Sequence, residues 1–127
     1  MLEIGMICAE AGEKIARVSA NMAMAADMEV RASSTATTGA YSSACQRGLP
    51  AILMERGGGG RFTDSEVQAY KRDVKNIMIR MGLLSGEEVH TVQQKNVTRA
   101  EYLEAETDGF RYFPQEIRSR EVRFWER

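Results

Sequence analysis

The residues best placed to do chemistry stand together between Gly48 and Arg61. Leu49 to Met54 is an apolar run punctuated only by Pro50, it ends on the carboxylate Glu55, and Gly57, Gly58, Gly59 and Gly60 follow. Such a run reads as a central strand of an α/β sheet, and open sheets of that kind place their chemistry at the carboxyl ends of strands. A carboxylate there suits a general base, because burial can tune its proton affinity while glycines leave room for substrate. The bland alternative is a solvent-facing strand end. Four glycines permit φ > 0 and close backbone approach, and their N–H groups can cradle an anion. Neither Gly-Lys-Ser/Thr nor G-x-G-x-x-G follows, so this is not a nucleotide-binding loop; a mobile surface turn is the alternative. Arg47, Arg56 and Arg61 flank the run, and any of them can take a substrate carboxylate bidentately or serve as ordinary surface charge. Tyr41 can donate a hydrogen bond into the same cleft or cap the core.

Metal and nucleophile chemistry have little to work with. A catalytic zinc site ordinarily needs three protein ligands and an open position, whereas the chain has one histidine, His90, in a polar connection. No His-x-x-Glu or His-Glu-x-x-His occurs, and no Ser-His-Asp or Cys-His set can be assembled around so remote a histidine. His90 reads as a surface residue. Cys8 and Cys45 lack C-x-x-C spacing and are too few for a disulfide scaffold, so buried reduced thiols are expected. The inventory predicts no metal ligands in this chain.

The elements that must position Glu55 follow from periodicity. Ile4, Ile7, Ala11, Ile15, Val18, Met22 and Ala25 recur at helical spacing and predict a helix within residues 2–26, weakened at Gly5 and Gly12. Met28, Val30 and Ala32 alternate with Glu29 and Arg31 as a short strand, a polar loop runs from Ser33 to Gly39, and a short helix is expected over 41–46. Thr63 and Glu66 match a capping box, with Asp64 adding negative charge at the same helix start. Val67, Tyr70, Val74, Ile77, Met78, Met81 and Leu84 then mark the expected buried face, and Gly82 is placed to end the helix in the left-handed conformation. A strand, a glycine loop and a capped helix in succession suggest half of an α/β crossover.

Composition shifts after Gly86. Val89 to Val97, Glu101 to Glu106 and Val122 to Trp125 read as short strands with turns at Asp108-Gly109 and Pro114. The expected organisation is therefore an α/β part over residues 1–86 and a truncated β-rich module over 87–127. Too few strands are available to close the module. The 127 residues hold 17 basic and 18 acidic side chains, with 43% hydrophobic and 28% charged residues, which suits a globular protein. A net charge of −1 gives no reason to expect nucleic acid or a membrane surface as partner. No signal peptide or apolar run of ~20 residues is present, which makes the cytoplasm the default location.

The run Gly48 to Glu55, then Gly57-Gly58-Gly59-Gly60-Arg61, and later Asn76-Ile77 with Met81-Gly82-Leu83-Leu84, resembles the C-terminal portion of the succinylglutamate desuccinylase/aspartoacylase family. These are zinc-dependent deacylases related to the metallocarboxypeptidases. The resemblance spans about residues 1–113 and is most specific between Thr38 and Gly86. It implies a partial mixed-sheet, zinc-carboxypeptidase-like α/β domain followed by an incomplete small β module. It implies that Glu55 is the catalytic glutamate, activating zinc-bound water for attack on an amide carbonyl and passing the proton to the leaving amine. The family's zinc ligands, a His-x-x-Glu/Asp pair and a later histidine, have no counterpart here. Zinc is accordingly expected in a full-length parent and not in this chain, which alone should be inactive. Aspartoacylases proper also carry an arginine ahead of the catalytic glutamate. Tyr41 to Cys45 hold none, a departure from the family pattern that counts against N-acetylaspartate as substrate. Thr107-Asp108-Gly109-Phe110 and Tyr112-Phe113-Pro114 are similar to the start of the family's C-terminal β domain. The implied substrate is a small N-acyl amino acid or related amide. The rival reading is a non-catalytic α/β binding or assembly module, and under either reading exposed edges favour self-association.

Overall fold

A computed structural model describes residues 3–8, 11–58 and 60–98. The described residues are α/β, with a mixed four-stranded sheet and three helices in the order β1 (Ile4–Cys8), α1 (Glu13–Ala25), β2 (Val30–Ser34), α2 (Ala40–Gln46), β3 (Ile52–Glu55), α3 (Asp64–Arg80) and β4 (Lys95–Val97). The strands lie in the order β3-β1-β2-β4. β1 runs parallel to β2, with Ile4 opposite Val30, and antiparallel to β3, with Ile4 opposite Glu55. β4 joins the other side of β2 in parallel, Val30 facing Lys95.

The segment expected to form one helix over 2–26 divides into β1 and α1. Ile4 and Ile7 satisfy a helical stripe and a buried strand equally well, an ambiguity inherent in short apolar runs. The sheet decides it: Val30 donates its N–H to the carbonyl of Glu3 at 3.1 Å, and Gly5 is buried beside Met28 and Val30. A second correction concerns β3. Its apolar run predicts a place at the centre of the sheet, but it is an edge strand among the described residues, half-buried along most of its length. Pro50 has no N–H to give a ladder, and pairing begins only at Ile52.

α3 is capped as its sequence requires. The Glu66 N–H donates to Thr63 Oγ1 at 3.3 Å, and Glu66 Oε2 accepts the Thr63 N–H at 2.7 Å. Gly82, at φ +74°, ends the helix, with its N–H on the Ile79 carbonyl and that of Leu83 on the Met78 carbonyl. The buried face, however, is Ala69, Asp73 and Asn76. Val74, expected inside, is 47% exposed. Polar pairing sets this orientation. Asp73 accepts the Asp27 N–H at 2.8 Å, and the Asn76 amide exchanges two hydrogen bonds with the backbone of Val89, at 2.8 and 2.9 Å.

Small residues dominate the apolar core, where Cys8, Ala23, Ala25, Ala26, Met28, Val30, Ala32 and Cys45 are buried. Both cysteines are free thiols. Asp27 organises the rest. Its carboxylate accepts from the N–H and hydroxyl of Thr91 at 2.7 and 2.6 Å, from the Val92 N–H at 3.1 Å and from Arg72 Nε at 3.0 Å. Burial raises the proton affinity of such a group, but these donors and the Arg72 charge outweigh it and hold the Asp27 pKa below its ordinary value. Gln94 adds hydrogen bonds to the carbonyls of Ala23 and Ala26. Residues 87–98, read from sequence as the start of a separate module, thus give this sheet its fourth strand. The strands and turns expected within 99–127 lie outside the described residues.

Candidate functional site

Glu55 closes β3 with an exposed side chain on the wall of an open cleft of about 800 Å³. Met6 of β1, Ala51, Ile52 and Leu53 leading into and along β3, and Ala36 and the segment from Thr38 to Tyr41 with Ala44 of α2 form the remainder of the wall. Tyr41 and Glu55 therefore line one cleft, and Glu55 is a solvent-facing strand end as well. The lining is otherwise apolar or small, with Thr38 as a further hydroxyl. A carboxylate that accepts protons and a phenol that donates a hydrogen bond can act on a polar group seated between them.

The three arginines part company. Arg47 and Arg61 are exposed and do not line the cleft. The Arg56 side chain is only 2% exposed and is fully engaged. Nε and Nη2 donate to Asp73 Oδ2 at 3.0 and 2.7 Å, Nη2 also reaches the Asp27 carbonyl at 2.7 Å, and Nη1 pairs with Glu3. Burial works against its positive charge, but the bonds and charges of Asp73 and Glu3 prevail and raise its pKa. Arg56 is thus structural in placement, correcting its expected role as a substrate contact: a guanidinium next in sequence to a strand-end carboxylate points across the strand to the other side.

The glycine loop makes a tight turn in which Gly58 and Arg61 form an isolated bridge. Gly57 and Gly60 have φ of +70° and +68°. A β-carbon on Gly57 would sit 2.7 Å from Glu66 Oε1, so this glycine lets the loop close on the cap of α3. Gly57, Gly58 and Gly60 are absent from the cleft wall; Gly59 lies outside the described residues. His90 is exposed, with Nε2 3.0 Å from Glu88 Oε2 and Nδ1 4.0 Å from Asp27 Oδ1. Among the described residues no three His, Cys, Asp or Glu side chains converge to hold a metal, so these residues do not fit the zinc that the resemblance implies.

Sequence reading does not single out Tyr70, which it counts only as a core position. Its hydroxyl accepts the Arg56 N–H at 2.9 Å and donates to the Met54 carbonyl at 3.3 Å. It also passes over Asp27, and gives Asp73 and Asn76 no structural role although Asn76 belongs to the motif behind the resemblance; their signal is a polar set at helical spacing in α3 with a further carboxylate just before a strand.

No family model and no curated protein matches the chain by sequence. Solved structures do match by fold. The product-bound ectoine utilization protein EutE (DoeB) from Ruegeria pomeroyi superposes with a TM-score of 0.69 at 18% identity, over 79% of this chain and 31% of that one. A succinylglutamate desuccinylase/aspartoacylase from Rhodobacter sphaeroides gives 0.64 at 19% identity over the same shares, and a succinylglutamate desuccinylase from a Silicibacter species gives 0.60 at 21%, over 76% and 30%. The chain spans about a third of the length of the solved structures it matches. It has the fold of a part of the succinylglutamate desuccinylase/aspartoacylase proteins.

Proposed function

We propose that this chain is the proton-handling portion of a deacylase of the succinylglutamate desuccinylase/aspartoacylase kind, acting on an N-acyl amino acid or related amide. The observation that carries the reading is the placement of Glu55 and Tyr41 on one cleft at the end of β3, in a fold shared with such proteins. Glu55 accepts a proton from the attacking water and returns it to the leaving amine, while Tyr41 orients the amide. Zinc, where the reaction uses it, is held by other residues of the parent, so the isolated chain neither binds catalytic zinc nor turns over substrate. Chelator-sensitive hydrolysis of N-acyl amino acids by the purified 127 residues would overturn that. In the intact parent, Glu55→Gln is expected to lower kcat by about 10²-fold or more, the scale of losing a general base, with little change in stability. Unchanged kcat would remove Glu55 from the mechanism.

A partner is also part of the proposal. Val74, Met81, Leu84 and Val89 are exposed, and Leu83 is 70% exposed. Apolar surface of this kind suits contact with the rest of a parent protein or with a second copy. Sedimentation velocity should show concentration-dependent association of the chain; a monomer at every concentration would count against it.

A further inference from the structure

Glu55 is held between two anchored atoms. The carbonyl before it, on Met54, and the N–H after it, on Arg56, meet the same Tyr70 hydroxyl at 3.3 and 2.9 Å. That hydroxyl comes from the second turn of α3, and it fixes the backbone on both sides of Glu55 where the ladder with β1 ends. The Tyr70 ring is itself held: the Arg56 guanidinium lies 5.7 Å from its centroid, within cation–π range, and Asp73, one turn along α3, fixes that guanidinium through two bonds. An exposed strand end otherwise frays, because it presents backbone groups without partners.

We infer that Tyr70, supported by Arg56, is the positioning residue of the general base, setting the direction of the Glu55 carboxylate without touching substrate. This rests on the reading of Glu55 as the base. A base must stand within hydrogen-bond reach of the proton it takes, and small displacements of a catalytic group lower turnover strongly. Tyr70→Phe removes only the oxygen that bridges Met54 and Arg56, and keeps the ring under the guanidinium.

The test pairs two readouts. Hydrogen exchange on the chain should show the Arg56 amide at least tenfold faster in Tyr70→Phe, with the α3 amides unchanged. In the intact parent, kcat on an N-acyl amino acid should fall about tenfold with KM within twofold of wild type. Arg56→Lys, which keeps the charge and loses the fork, should lower kcat in the same direction with KM held. Wild-type kcat in both variants, beside an inactive Glu55→Gln, would overturn the positioning role while leaving the base in place. Unaltered exchange at Arg56 would overturn it from the structural side. Full turnover by Glu55→Gln would remove the base and the positioning role together.

Discussion

At the scale of single residues, what decides each role is whether a side chain has been spent on the fold. Arg56 and Glu55 are neighbours in sequence, yet one is buried among Glu3, Asp73 and the Asp27 carbonyl and the other is exposed on a cleft. The strand-end position of Glu55 was legible, and Tyr41 of the preceding helix lines the same cleft. The fold side was not, because sequence shows that an arginine is present and not which carboxylates will surround it. Gly57 makes the same point. Its freedom to adopt the observed φ of +70° was visible, but not that a β-carbon there would meet the Glu66 cap. Gly57→Ala should therefore destabilise the chain by about 1 to 2 kcal/mol through backbone strain, read as a lowered denaturant midpoint. A variant as stable as wild type would show that the turn relaxes freely.

Between elements, α3 is docked by polar pairs more than by its apolar stripe. The period of α3 and both of its ends were legible from Thr63, Glu66 and Gly82. Its inward face was not, since the rule that apolar residues face the core gives way when Asp73 and Asn76 find hydrogen-bond partners there. The joint between the α1–β2 turn, α3 and residues 87–92 depends on the Asp27 carboxylate staying ionised. Its folded pKa lies below the ordinary value, so its contribution is complete above the unfolded pKa of about 3.9 and is lost as pH falls from there through the folded value. Stability measured by urea unfolding should drop over that acid window, and Asp27→Asn should flatten the drop. The same acid slope in the Asp27→Asn variant as in wild type would place the titration elsewhere.

Across the whole molecule, the described residues form one sheet whose outer strands arrive from opposite directions; the helix expected over residues 2–26 holds only as α1, and the central place expected for β3 fails, for reasons that only the assembled sheet supplies. Strand order is a property of pairing over long separations, and a local pattern holds no record of it. Those separations bear on the order of assembly. β1, α1 and β2 are consecutive and close a short loop, whereas Thr91 meets Asp27 across 64 residues and Asn96 meets Arg31 across 65. Closing the longer loop carries the larger entropic penalty, and distant pairings slow the search. The βαβ unit is then the natural nucleus, and the 87–98 segment seals it afterwards. Interactions made after the rate-limiting barrier act on unfolding more than on folding. Thr91→Ala should accordingly steepen loss of the native state, raising the unfolding rate while leaving the refolding rate near that of wild type; equal effects on both arms of a chevron would put the seal inside the nucleus. The outer strand β4, with the segment that leads to it, is in this sense a latch on the native state, governing how long the fold lasts and not how quickly it forms.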